Sequence, residues 1–176
     1  KIRISPKWRI MVAEILLNAG LLKEAVSAVS TLDLDNPRRS SIEITANRLL
    51  GEYGNASKIF DQLSEGESKD HGVLLSSIRL NWDMGEMNRV IELSETLLRD
   101  KPFHVIATRF RIQALVKIAN IQQLRAAVDE TLALSPQNLQ ALRIYKKLGY
   151  KIKAKNYEGE LQNKKKLTKN IIILTL

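Results

Sequence analysis

Two histidines and three carboxylates are the side chains of this sequence best suited to catalysis or metal binding. His71 and His104 lie near predicted helix starts, without an HExxH pattern or a carboxylate spaced to complete a metal site. We therefore predict that each is a surface or loop histidine. Glu14, Glu43 and Asp83 fall on predicted helices without an acid–base companion, and we predict that they are solvated charges. Neither set predicts a catalytic centre or a metal site.

Other patterns of enzyme chemistry are missing as well. The segment 51–54 (Gly-Glu-Tyr-Gly) joins two predicted helices, whereas a phosphate-binding loop joins a strand to a helix. The sequence contains no GxSxG pattern of a nucleophilic serine. With no cysteine, it has neither a disulfide nor a thiolate metal ligand. We therefore expect these residues to form no enzyme active site and to need no cofactor.

Composition and charge narrow the class of protein. The 176 residues are 44% hydrophobic and 27% charged, which is typical of a soluble globular protein. No apolar run approaches the roughly 20 residues of a membrane span. The lack of cysteine suits a reducing compartment, so we expect a cytoplasmic protein. The net charge of +9 is concentrated near the end, because Asn138 to Leu176 contains ten basic residues against two acidic ones.

A repeated pattern predicts the elements that position these side chains. A small residue at a turn is followed at fixed steps by apolar or small residues and, in three of the four copies, by proline. The turn positions are 31, 34 and 34 residues apart, a period typical of stacked helical hairpins. The four copies are Gly20, Ala25, Val29, Leu32, Pro37; Gly51, Ala56, Phe60, Leu63, Ser68; Gly85, Val90, Ser94, Leu97, Pro102; and Ala119, Leu124, Val128, Thr131, Pro136.

Helices are predicted on both sides of every turn. Ser5-Pro6, Asn36-Pro37 and Ser135-Pro136 predict N-caps followed by a proline in the first helical turn. The polar segment 64–70 is predicted to be the loosest loop, and the last helix has the apolar side and the basic side of a capping helix. The predicted helices are 6–18, 22–34, 38–50, 54–65, 71–83, 87–100, 103–118, 121–134 and 137–148.

The spacing Gly-x4-Ala-x3-aromatic or apolar-x2-apolar-x4-Pro, with its 34-residue period, resembles the tetratricopeptide repeat. The resemblance covers about residues 6 to 136, and residues 137–148 are similar to that family's terminal helix. It implies an all-α fold, a right-handed solenoid of antiparallel helix pairs. It also implies protein–protein interaction or scaffolding, because the first helices of that family line a concave groove that binds peptides or partner surfaces.

Carrying the family's groove-facing positions onto this sequence places four arginines and a tryptophan in the groove. Such a surface favours an extended acidic or aromatic-containing segment, through paired hydrogen bonds and ring stacking. The alternative is that the arginines only keep the surface soluble. The two-lysine, two-asparagine clamp of some relatives is not matched, because Gly72 and Ser76 occupy corresponding positions. The predicted partner-binding residues are Arg38, Arg48, Leu75, Arg79, Trp82, Arg109 and Gln113.

The sequence changes character after the last predicted helix. Residues 150–169 are rich in Lys, Asn and Gln, which predicts a basic linker after a repeat domain at 1–149. Residues 170–176 predict a strand-like tail, because they contain the β-branched run Ile-Ile-Ile. No other segment is predicted to pair with this strand. It could begin a following α/β domain, or it could close the last groove of the repeats.

Three functions remain open from the sequence. The leading one is a protein interaction or scaffolding module that presents a helical groove. The second makes the chain the N-terminal helical region of a larger bacterial enzyme, such as a glycosyltransferase, because tetratricopeptide-like solenoids often precede sugar-transferring domains. The third is binding of nucleic acid or an anionic surface by the basic tail.

Overall fold

Helices account for all the regular structure in the described part of the chain. A computed structural model describes residues 5–33 and 36–148. Within these ranges there are ten helices and no strand, which confirms the all-α prediction. The predicted linker at 150–169 and the predicted strand-like tail at 170–176 lie outside the described residues. The helices are α1 (Pro6–Asn18), α2 (Leu22–Val29), α3 (Pro37–Leu49), α4 (Tyr53–Asp61), α5 (Glu65–Ser68), α6 (His71–Met84), α7 (Met87–Asp100), α8 (Val105–Lys117), α9 (Ile121–Leu134) and α10 (Leu139–Lys147).

The chain divides into two compact units, and the division falls within α8. The first unit ends at Phe110 and the second begins at Arg111. In the first unit, α1 packs on α2, α3 on α4, and α6 on α7. Successive pairs are joined by contacts of α2 with α3 and of α3 with α6, and α1 also contacts α3. In the second unit, α9 packs against α10.

The repeated sequence positions supply much of the core in each unit. Helix α6 is buried on several sides because it packs against α3, α4 and α7. Its Ile78 is fully buried and Leu80 nearly so. Among the repeat positions, Leu63 is half-buried. Those that are buried after the four turns are Ala25, Val29, Leu32, Ala56, Phe60, Val90, Ser94, Leu97, Leu124, Val128 and Thr131.

All four predicted turn positions have left-handed backbone conformations. Gly20, Gly51 and Gly85 have φ angles of 78°, 78° and 81°, and Ala119 has a φ of 54°. After α1, the amide of Gly20 donates to Leu17 and that of Leu21 to Leu16. The same two bonds follow the other three turns, and together they satisfy carbonyls that the helix end leaves free. This backbone geometry explains why a small residue recurs there, since a side chain with a Cβ is strained in it.

We expect opposite effects from exchanging glycine and alanine at two of these turns. Gly85→Ala should lower the free energy of unfolding by about 1 kcal/mol, and Ala119→Gly should raise it by up to about 1 kcal/mol, because only alanine is strained at positive φ. No atom lies within 4 Å of a Cβ built on Gly85, so a clash would not confuse the result. Urea unfolding of both variants checks this, and a shift of the same sign in both would contradict it.

Two of the three predicted proline-linked caps are confirmed. The Ser5 side chain accepts from the amide of Trp8 at 3.5 Å, and that of Asn36 accepts from the amides of Arg38 and Arg39. The prediction for Ser135 is wrong, because α10 begins at Leu139 and its N-cap is Asn138. The side chain of Asn138 accepts from the amide of Ala141 at 3.0 Å. This asparagine, which directly precedes the first apolar residue of α10, is the cap in place of the predicted serine.

The segment 64–70, which was predicted to be a loop, contains regular structure. It contains the short helix α5, which starts with a capping box between Ser64 and Glu67. The amide of Ser64 donates to Glu67 Oε2 at 2.8 Å, and the Glu67 amide donates to Ser64 Oγ. The Ser64 hydroxyl also donates to Glu67 Oε2, and this bond, followed by the bond from the Ser64 amide, lowers the pKa of the Glu67 carboxyl. A short helix thus lies where a loop was predicted, because Ser-x-x-Glu is itself a helix-start signal.

Candidate partner-binding surface

The first unit brings several predicted partner-binding residues onto neighbouring helices. Arg38 and Arg48 lie on α3, and Leu75, Arg79 and Trp82 lie on α6, which packs against α3. Arg109 lies on α8 within the first unit, whereas Gln113, four residues later, belongs to the second unit. Gln113 and Leu75 are half-buried. The described candidate surface therefore consists of α3, α6 and the first part of α8.

A cluster of hydroxyl groups joins α3 to α6 at the middle of this surface. Ser76 Oγ lies 2.9 Å from Ser41 Oγ and 3.0 Å from Thr45 Oγ1. A Cβ on Gly72 would meet Ser41 Oγ at 3.3 Å and Asp70 Oδ1 at 3.2 Å, so glycine allows the close approach of these helices. Ser41, Thr45 and Ser76 thus hold the two helices together and are already paired with one another.

Arg48 is engaged in a partly buried ion pair between the same helices. Its Nη1 donates to Asp83 Oδ2 on α6 at 2.6 Å, and the two side chains are 16% and 32% exposed. Its Nε is buried and has no acceptor among the described residues. Asp83 is exposed, as predicted, but its carboxylate is paired, because Arg48 lies directly across the helix contact. Arg48 positions α3 and α6 more than it offers its charge to a ligand.

Arg38 also has a carboxylate partner, but this pair is open to solvent. Arg38 Nη1 lies 3.3 Å from Glu14 Oε1 on α1, with side chains 68% and 47% exposed. Solvent and salt screen such a pair strongly. Since an exposed ion pair is easily exchanged for another, the Arg38 guanidinium can still bind a carboxylate of a partner. Glu14 is exposed, as predicted, but it is paired with Arg38.

Arg79 and Arg109 are the uncommitted cations of the candidate surface. Arg79 is half-buried and Arg109 is exposed. Neither makes a hydrogen bond or an ion pair within residues 5–33 and 36–148. An arginine with a free guanidinium can give a carboxylate two parallel hydrogen bonds. These two residues are therefore the strongest candidates for contacts with an acidic partner.

An aromatic pair lies on the same two helices as these arginines. The rings of Trp82 and Phe110 meet edge to face, with centroids 5.4 Å apart and planes at 70°. Trp82 lies one helical turn after Arg79, and Phe110 directly follows Arg109. Both rings are half-buried, so they offer apolar area beside the cations. Phe110 was not among the predicted site residues, although it directly follows Arg109.

The remaining charged group singled out from the sequence is buried. Glu43 on α3 is 8% exposed, and its Oε1 accepts from Arg39 Nε at 2.9 Å. Arg39 Nη1 also donates to the carbonyl of Leu32. The prediction of a solvated charge at Glu43 is therefore wrong. The four-residue step from Arg39 to Glu43 is the typical spacing of a helical ion pair and was the signal for it.

The two histidines lie at the starts of α6 and α8, as predicted, and their side chains also contact each other. Both are half-buried, and their ring centroids are 4.8 Å apart. Among the residues that the structure describes, no three His, Asp or Glu side chains are grouped to hold a metal ion. The pair is thus a contact between the N-terminus of α6 and the residue before α8.

A cleft elsewhere in the first unit competes with this surface. An open cleft of about 600 Å³ is lined by six residues from the end of the α5 segment, α6 and α7. It contains two cations, but Lys69 is paired with Glu65 and Arg99 donates to Thr96. The lining residues are Lys69, Leu74, Thr96, Leu97, Arg99 and Asp100.

Over the described ranges, every helix is too short or too polar to cross a membrane. The chain matches no protein-family model, no curated protein and no solved structure with which it was compared.

Proposed function

We propose that this chain is a protein-interaction module that binds an acidic segment of a partner on the surface formed by α3, α6 and the start of α8. The observation that carries the proposal is the pair of uncommitted arginines, Arg79 and Arg109, beside the edge-to-face rings of Trp82 and Phe110. Guanidinium groups bind carboxylates, and aromatic and arginine side chains are the residues that most often dominate binding energy at interfaces.

The proposed architecture is a tetratricopeptide-like right-handed solenoid of helix pairs. Support comes from the left-handed turns at Gly20, Gly51, Gly85 and Ala119, which recur at the spacing of that repeat. Further support is the contact of α1 with α3 and of α3 with α6, since first helices of successive repeats lie side by side in such a stack. A crystal structure tests it, and helix pairs without a repeated right-handed rotation would contradict it.

Binding to matched synthetic peptides tests the proposed surface. Fluorescence anisotropy should detect labelled extended peptides that contain several Asp or Glu residues and an aromatic residue, and should detect weaker binding when Asn and Gln replace the acids. Arg79→Ala, Trp82→Ala and Arg109→Ala should each raise the Kd by about tenfold, which corresponds to about 1.4 kcal/mol.

Arg99→Ala is the matched control for this experiment. Arg99 is exposed on α7 and lines the competing cleft, so its loss should leave the Kd unchanged. If Arg99→Ala weakens binding and the other three variants do not, the cleft is the binding site and the proposal is wrong. Arg48→Ala is not suited to this comparison, because it removes the ion pair with Asp83 and should also lower stability.

A further inference from the structure

His104 caps helix α8 with its own imidazole ring. The amide of Ala107 donates to His104 Nδ1 at 3.1 Å, and the amide of Thr108 donates to the His104 carbonyl at 3.0 Å. These are the side-chain and backbone bonds of an N-cap residue, since α8 begins at Val105. The ring of His71, the first residue of α6, meets the His104 ring with planes at 71°. One imidazole thus both starts α8 and contacts α6.

This cap works only while His104 is neutral. A neutral imidazole has one nitrogen that accepts and one that donates, so Nδ1 can accept from Ala107 when the proton is on Nε2. Protonation places a hydrogen on Nδ1 and turns the acceptor into a donor. Two N–H groups would then face each other. Protonation of His104 and capping of α8 therefore exclude each other.

The surroundings of His104 oppose its positive charge. Burial is the largest effect that lowers the pKa of His104 below its ordinary value of 6.5, followed by the proximity of His71 and then of Lys101 in the turn before α8. Facing it from α6, His71 Nε2 is buried without a hydrogen-bond partner in the described residues. The nearby Asp70 carboxylate is engaged by the amides of Gly72 and Val73. The positive end of the α8 dipole adds to the repulsion.

We propose that the contact of His71 with His104 is a pH-sensitive switch, which holds the N-terminus of α8 against α6 when His104 is neutral and releases it when His104 is protonated. The folded state favours the neutral form, so the stabilisation is complete above pH 6.5. It is lost as the pH falls through the lower pKa of the folded state. Acidification should therefore loosen the first turn of α8 before it unfolds the rest of the first unit.

The switch reaches the proposed binding surface, because α6 carries Arg79 and Trp82 and α8 carries Arg109. Peptide binding should weaken over the same pH range in which His104 gains its proton. This consequence rests on the proposed function, whereas the switch itself does not. Measurements on the free protein therefore test the switch alone, and a failure of peptide binding at every pH would count only against the proposed function.

His104→Asn keeps a side chain that can cap α8 but removes the group that titrates. Asparagine is a strong N-cap and does not titrate. Between pH 7.5 and 5.0, the melting temperature of the wild type should fall by about 2–4 °C more than that of His104→Asn, the range expected when a chain of this size loses one cap. The protection of the Ala107 amide from hydrogen exchange, measured relative to the intrinsic exchange rate at each pH, should fall at low pH in the wild type and should not fall in the variant. Equal pH dependence of the two proteins would overturn the switch.

Direct titration of the imidazoles keeps the proposal testable if His104→Asn does not fold. NMR of the wild type should give a His104 pKa below 6.5 and a loss of the Ala107 hydrogen bond at the same midpoint. His71→Phe keeps an aromatic edge without a second imidazole and should raise the His104 pKa toward 6.5. A wild-type His104 pKa at or above 6.5 would overturn the switch. A hydrogen bond of the Ala107 amide that stays unchanged while His104 is protonated would also overturn it.

Discussion

Glu43→Gln should lower the free energy of unfolding by about 2–3 kcal/mol, although it changes one oxygen for nitrogen. The side chains of Arg39 and Glu43 are 13% and 11% exposed, so the variant leaves the guanidinium charge buried without its counter-charge. Removing one partner of a buried ion pair typically costs about 3–5 kcal/mol. The lower value applies because Arg39 still donates to the carbonyl of Leu32. Urea unfolding at neutral pH measures the loss.

A second ion pair with the same spacing provides the control for Glu43. Lys69 and Glu65 are also four residues apart, but their side chains are 59% and 86% exposed. Lys69 lowers the pKa of the Glu65 carboxyl, mainly through their hydrogen bond, yet solvent screens the pair. Glu65→Gln should therefore leave the stability nearly unchanged. An equal decrease in the free energy of unfolding in the two variants would show that burial does not strengthen the Arg39–Glu43 pair.

Replacing both members of the buried pair distinguishes the effect of an unpaired buried charge on stability from the effect of lost packing. Arg39→Met combined with Glu43→Leu removes both charges and keeps most of the volume. Buried pairs replaced in this way are often neutral or stabilising. The double variant should recover most of the stability that Glu43→Gln loses, and a double variant as unstable as the single one would contradict this account.

Ile78→Ala should lower the free energy of unfolding by about 3–4 kcal/mol. Ile78 is fully buried on α6, and α6 packs against α3, α4 and α7. Truncation removes the transfer free energy of three carbons and leaves a cavity that three neighbouring helices cannot all close. The change in tryptophan fluorescence during urea unfolding measures this loss, because Trp8 and Trp82, the two tryptophans of the sequence, both lie in the first unit.

Leu49→Ala is the matched control for Ile78. Leu49 is also an aliphatic residue on a helix of the first unit, but it is 50% exposed. Its truncation should lower the free energy of unfolding by less than about 1 kcal/mol, since most of the lost area already faces water. A loss from Leu49→Ala as large as that from Ile78→Ala would contradict the expectation that burial determines the cost of truncation.

Local chemistry explains why most helices could be predicted. α1 and α9 have the predicted bounds, 6–18 and 121–134, and α7 has the predicted bounds 87–100. Helix α2 was predicted to reach residue 34 but ends at Val29, because an apolar periodicity can continue past the last helical turn. Capping residues and turn residues act over three or four positions, so they can be recognised without knowing which helices touch.

The chemistry of the candidate surface was less predictable, since it depends on distances across helix contacts. Arg48 and Asp83 are 35 residues apart in the sequence, and nothing near either residue indicates that they pair. The contact of Trp82 with Phe110 and that of His71 with His104 also join residues that are far apart in the sequence. Without these contacts, Arg48, Arg79 and Arg109 appeared equivalent, although Arg48 forms an ion pair and the other two form none with the residues that the structure describes.

The sequence by itself determined the all-α class, the four turn positions and most helix bounds, because each depends on residues within a few positions of one another. Only the tertiary structure decided which charges are buried, which arginines remain uncommitted and which imidazole caps a helix. Burial and pairing are properties of surfaces that meet after folding, so residues with the same local pattern, such as Glu43 and Glu65, acquire opposite environments.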